Sequence, residues 1–147
     1  MKRSTPAQTQ FLSAQDVAQI INTMGPAAAL QGMADAIFDD YLRWQDFDKC
    51  ARVASHSKDG VIELMPIADA RTYTFKYVNG HPKNTRLGLS TVMAFGVLAD
   101  VATGAPLLLS ELTLTTAMRT AAAGCRSAQR MIRPPRMTIA SSREIRS

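Results

Sequence analysis

Apolar positions along the chain change period twice, from helical to alternating and back to helical. Ser13 stands three residues before Asp16 at the head of an apolar stripe, the arrangement of a capping box that opens a helix. Val17, Ile20, Ile21 and Met24 then fall on one helical face. Gly25 ends that helix, and Pro26 suits the first turn of the next. Leu30, Met33, Ile37, Phe38 and Tyr41 carry the helical spacing onward. Both stripes read as ordinary buried faces that carry no chemistry.

From Arg52 the period drops to two. Arg52, Ala54 and His56 alternate with Val53 and Ser55, as in a strand. Lys58-Asp59-Gly60 predicts a hairpin turn with Gly60 at positive φ. Residues 61–67 predict the return strand, with Glu63 and Met65 on one face and Ile62 and Leu64 on the other. Residues 72–78 predict a third strand, its Tyr73, Phe75 and Tyr77 opposite Thr74 and Lys76. Asn79-Gly80 and His81-Pro82 then break it. Residues 91–99 and 107–112 predict two further strands around a turn, and their almost continuous apolar character predicts cover on both faces. From Thr113, an N-cap candidate, the chain is alanine-rich and helical. Helices first, then a mainly hairpin-connected sheet, then a long helix make the class α+β.

Composition narrows what such a chain does. At 147 residues and 46% apolar it suits one folded domain with a real core. Cys50 and Cys125 share no metal or redox spacing and read as reduced, packed thiols of a cytoplasmic protein. The opening MKRSTPAQTQFLS has no apolar run behind its basic residues, so no signal peptide is expected. Asp100 interrupts the most apolar region, so no membrane span is expected. From Arg126 onward six arginines face Glu144 alone, which accounts for the whole net charge of +5. The body is balanced and offers no basic face, which argues against a nucleic-acid partner. Only His56 and His81 are available as imidazoles, which argues against a metal site.

Five positions are candidates for binding chemistry. Arg52 is either a solvated strand arginine or a bidentate carboxylate ligand. Lys76, opposite the aromatic side chains, points into a cleft or into water if the aromatic face forms the core. Glu63, beside Met65, could balance Arg52 or meet a substrate ammonium group. Arg119 sits near the start of the last helix, where backbone N–H groups favour anions. His56 shares the Arg52 face and reads as a hydrogen-bonded structural residue. None of the eight glycines is one residue from another, so the G-x-G turn of a dinucleotide-binding domain does not occur in these residues.

The strings ARVASH around Arg52, FKYVNGHP around Lys76 and TAMRTAA around Arg119, in order with Glu63 and Thr91, resemble the substrate half of the ornithine cyclodeaminase family, shared with mu-crystallin. The resemblance covers residues 11–134. It implies NAD-dependent cyclisation of L-ornithine, or a similar small amino acid, to L-proline with release of ammonia. NAD takes a hydride from Cα and returns it to the ring, so there is no net redox change. Arg52, Lys76 and Arg119, with Glu63 and Met65, are implied as substrate ligands; Thr91 and Arg119 are implied as cofactor contacts. A homodimer formed through this domain is implied as well. The family's acid–base aspartate belongs to a dinucleotide-binding domain that follows this one, so no catalytic residue is assigned here.

Where the family has a short apolar strand and a glycine-rich turn, this chain reads PRMTIASSREIRS. The expected organisation is therefore a flexible start at 1–10, a substrate-binding and dimerisation domain at 11–134, and a truncated or frame-shifted tail at 135–147. Residues 137–147 are expected to pack poorly, and the chain alone to be inactive. Other family activities, imine reductase or amino-acid dehydrogenase, and a non-catalytic dimerisation remnant are the alternative expectations.

Overall fold

Ser13 caps the first helix as its spacing predicts. In the computed structural model, which describes residues 8–132 with side chains to Gly124, the Ser13 hydroxyl accepts from the Asp16 N–H at 3.2 Å. Asp16 accepts from the Ser13 N–H at 2.8 Å in return. Helix α1 spans Ala14–Met24, and α2 spans Pro26–Leu42. Gly25 joins them at φ 83, a conformation that side chains resist, so one glycine suffices for the break.

The sheet is built from β1 (Gln10–Leu12), β2 (Asp48–Lys49), β3 (Val53–Ser57), β4 (Gly60–Ala68), β5 (Thr72–Gly80), β6 (Ala94–Asp100) and β7 (Pro106–Glu111). Helix α3 (Thr113–Ile132) follows. The order is β1-β7-β6-β5-β4-β2, with β3 also on β4. Every pair is antiparallel except β1 on β7, which is parallel and makes the sheet mixed. Gln10 aligns with Leu108, and the Thr9 hydroxyl donates to the Pro106 carbonyl at 2.9 Å. The sequence pattern misses β1 and β2, which are too short to show a period.

The helices stand on the face that carries Lys76. Gly96 aligns with Lys76, and a Cβ on Gly96 would lie 2.6 Å from Leu112 Cδ1 and 2.9 Å from the Phe75 carbonyl oxygen. Only glycine admits so close an approach of the chain that leads into α3. Val78, Ala94 and Ala122 are buried between the two layers. The core there is small, because these contacts are made by alanines and one valine.

The aromatic face is the open one. Cross-strand alignment places Val53, Leu64, Tyr77 and Phe95 in one row, with Phe11, Leu109, Val97, Phe75 and Pro66 in the next. The Tyr77 and Phe95 rings stack at 4.9 Å. Val53, Leu64, Phe95 and Phe11 are nevertheless exposed, as are Ile62 and Tyr73. Among the described residues the expectation that the apolar strands are covered on both faces is not met: no element of them lies over that side. The premise that the aromatic face forms the core fails with it.

Two turn expectations also change. Strand β5 runs on through Asn79 and Gly80, and the break falls at His81-Pro82. Gly60 is not at positive φ, unlike Gly25, Gly88 and Gly104. It is a glycine because a Cβ there would lie 2.6 Å from the Gly80 carbonyl oxygen and 2.5 Å from His81 Cδ2. The carbonyl belongs to the ladder and has nowhere to go. Gly60→Ala is expected to destabilise the fold by about 1–3 kcal/mol, read as a lower urea midpoint. An unchanged midpoint would refute the packing argument.

Candidate functional site

Arg52 lies immediately ahead of β3, and its Nη1 donates to Glu63 Oε1 at 3.1 Å. The guanidinium side chain is 61% exposed and the carboxylate 20%. Such a surface pair contributes about 0–1 kcal/mol, so Arg52 gives up this partner cheaply. Alternation along β4 then brings Met65 to the same face, aligned with Lys76 on β5. On its other side Lys76 aligns with Gly96, over which Leu112 packs closely.

Lys76 is half-buried, and its pKa lies below the usual lysine value. Burial is the largest cause, followed by the positive charges of Arg119 and Arg52, with Glu63 opposing them. Arg119 from α3, Arg52 from just ahead of β3 and Glu63 from β4 therefore all act on Lys76. Sequence separation hides this convergence; the strand register and the placement of α3 create it. Three cations face one carboxylate, so a bound anion relieves their mutual repulsion.

Arg119 is exposed and is the seventh residue of α3, beyond the free N–H groups of the first turn. Its attraction for anions is therefore its own, not that of the helix end. Thr91 lies at the far end of the β5–β6 ladder, exposed, with its carbonyl accepting from the His81 N–H at 2.8 Å. His56 is exposed at the outer end of β3, aligned with Val61. Cys50 is exposed as a free thiol, which corrects the packed environment expected for it. The side chain of Cys125 and the 135–147 tail lie outside the described residues.

Asn79 was not singled out by its sequence context, which read as a turn signal. It is 7% exposed. Its Oδ1 accepts from the Met93 N–H at 2.5 Å, and its own N–H donates to the Met93 carbonyl at 3.0 Å. A polar residue at a strand end, two positions before a histidine, was the available hint.

Among the described residues no helix is long and apolar enough to cross a membrane. Residues 13–140 match the ornithine cyclodeaminase/mu-crystallin family. The chain is 54% identical over 121 residues to an ornithine cyclodeaminase of Brucella abortus biovar 1 (strain 9-941), covering 82% of this chain and 34% of that protein. It thus spans about a third of the length of the curated relatives that it matches. Among solved structures it is similar to a lysine cyclodeaminase described as recognising L-lysine, L-ornithine and L-2,4-diaminobutyric acid. That likeness has a TM-score of 0.78 at 27% identity, over 86% of this chain and 39% of that one. An archaeal alanine dehydrogenase dimer with bound NAD is similar at TM-score 0.67 and 28% identity, over 82% and 36% of the two chains.

Proposed function

The chain belongs to the ornithine cyclodeaminase/mu-crystallin family, and on that premise we propose that it is the substrate-binding part of an NAD-dependent ornithine cyclodeaminase, which converts L-ornithine to L-proline and ammonia. The observation that carries this reading is the crowding of Arg52, Lys76 and Arg119 with Glu63 as the one acidic neighbour. An α-carboxylate satisfies the three cations. Glu63, released by Arg52, becomes an acceptor for a substrate ammonium group, and Met65 supplies an apolar wall beside it.

Residues on this chain suit the cofactor as well. Thr91 presents an exposed hydroxyl, and Arg119 an exposed guanidinium that already acts electrostatically on Lys76. NAD, when bound, supplies reversible oxidation at the substrate Cα. The part of this chain is to fix the carboxylate, and so the Cα, in one orientation. The bare sheet face is read as the surface that a second copy of the chain covers, since an exposed aromatic and aliphatic patch of this kind is unfavourable in water.

Titration of the 147-residue protein with L-ornithine, followed by NMR shifts at Lys76 and Arg119, tests the site. Binding requires protonated Lys76. Affinity is therefore expected to be full at neutral pH and to fall as pH rises through the lowered Lys76 pKa, below the ordinary 10.5. Shifts confined to other surfaces, or an affinity flat up to pH 10.5, would remove the clamp. With no G-x-G turn in these residues, the polypeptide is expected to bind ornithine without forming proline; proline above background would contradict this.

A further inference from the structure

We propose that Asn79 is a positioning residue for residues 89–93, and that it holds them only while His81 carries a single proton, on Nε2. The argument begins with the Met93 N–H, which can only donate. It points at the Asn79 side chain, so the atom that faces it is the accepting Oδ1. That fixes the amide: Nδ2 faces the other way, 3.3 Å from His81 Nδ1. An amide nitrogen can only donate, so Nδ1 must accept and must be without a proton. The neutral ring then keeps its proton on Nε2.

This arrangement governs a segment with little else to hold it. Residues 88–93 are neither helix nor strand. At the near end Gly88 and Leu89 donate to the Thr85 and Asn84 carbonyls at 3.2 and 3.1 Å, and beyond that the segment is tied by His81 N–H on the Thr91 carbonyl at 2.8 Å, by Asn84 Nδ2 on the Ser90 carbonyl at 3.0 Å, and by the two bonds between Asn79 and Met93. Asn79 and His81 thus grip both sides of Val92. The His81 ring lies against Gly60, so the grip also reaches the β3–β4 turn. Asp59 of that turn pairs with Lys83, and Lys58 is the turn's other charged group. A second proton on His81 would set Nδ1–H against the Asn79 amide N–H, two donors with no acceptor between them. The buried amide must then turn or withdraw, and Met93 loses its partner.

The consequence for Thr91 as a cofactor contact rests on the function proposed above; the grip itself does not. Nitrogen-15 NMR of the 147-residue protein tests both. His81 is expected to show an unprotonated Nδ1 at neutral pH. The Met93 and Thr91 amides are expected to shift with the same midpoint as the ring when the pH is lowered. Asn79→Ala is expected to raise hydrogen exchange at Met93 roughly tenfold. Asn79→Asp guards against a variant that fails to fold. It keeps an acceptor for Met93 but now accepts from His81, so Met93 is expected to stay protected through the His81 titration. A proton on Nδ1 at neutral pH, or Met93 and Thr91 amides indifferent to the ring, would overturn the proposal. Addition of NAD is a separate arm: a still Thr91 amide with the coupling intact counts against the cofactor reading alone.

Discussion

Lys76→Met is expected to lower L-ornithine affinity by roughly 2–5 kcal/mol, from about 30-fold to a few thousand-fold. The side chain keeps its unbranched apolar stem and is only one atom shorter, so what is lost is chiefly the charge that the substrate carboxylate would meet. Stability should move the other way. The folded state depresses the Lys76 pKa through burial and through Arg119 and Arg52. Holding this lysine charged therefore opposes folding at neutral pH, and removing the charge relieves that cost. In the wild type the opposition eases as pH rises from the lowered pKa toward 10.5, because the unfolded chain then holds more protons at this site. Isothermal titration with urea unfolding at pH 7 measures both quantities, with Lys76→Arg as the charge-preserving control. Unchanged affinity in Lys76→Met would end the carboxylate assignment, and a large loss of stability would show Lys76 to be structural.

Phe95→Glu is expected to turn a dimer into a monomer, raising the dissociation constant by about 100-fold or more, as for a central interface aromatic. Phe95 stacks on Tyr77 in the middle of the bare face, and its cross-strand partner on β7 is Glu111. The substitution places a second carboxylate beside the first on a surface that must lose its water. Ile20→Glu is the control and should leave association unchanged: Ile20 lies on the α1 stripe expected to be buried, but only Val17 of that stripe is buried and Ile20 and Met24 are exposed. Sedimentation equilibrium reads both. A wild type that stays monomeric at high micromolar concentration, or a Phe95→Glu protein of unaltered mass, would sink the proposed interface.

Elements with a strong period were legible in the sequence, and what depended on a neighbour was not. Ser13 and Asp16 announced α1 because a capping box is local, and β4 and β5 announced their faces because alternation is local. The faces themselves were readable, but which one meets the helices was not. Apolar residues line both sides of β6, and period alone does not say whether water or another layer lies above them. Gly60 was read as a turn glycine, whereas its reason for being glycine lies twenty residues away at Gly80 and His81. The residues proposed to bind the carboxylate were picked out by their resemblance to a family, and the register then explained how Met65, Lys76 and Gly96 come to lie side by side. Asn79 escaped notice because its partner, Met93, is a backbone group, and backbone groups leave no mark in a sequence.

The parallel pairing of β1 with β7 sets an order on events during synthesis. Strands β3 to β7 join neighbours through short connections and can zip up as they leave the ribosome. The opening strand cannot. Its partner, β7, is made almost a hundred residues later, as the contact from Thr9 to Pro106 marks. Until then α1 and α2 have emerged with apolar stripes and no sheet to settle on. Closing so long a loop is slow. Residues 10–12 are thus among the last of the sheet to find their place, and the nascent chain is most exposed to unwanted association during that interval.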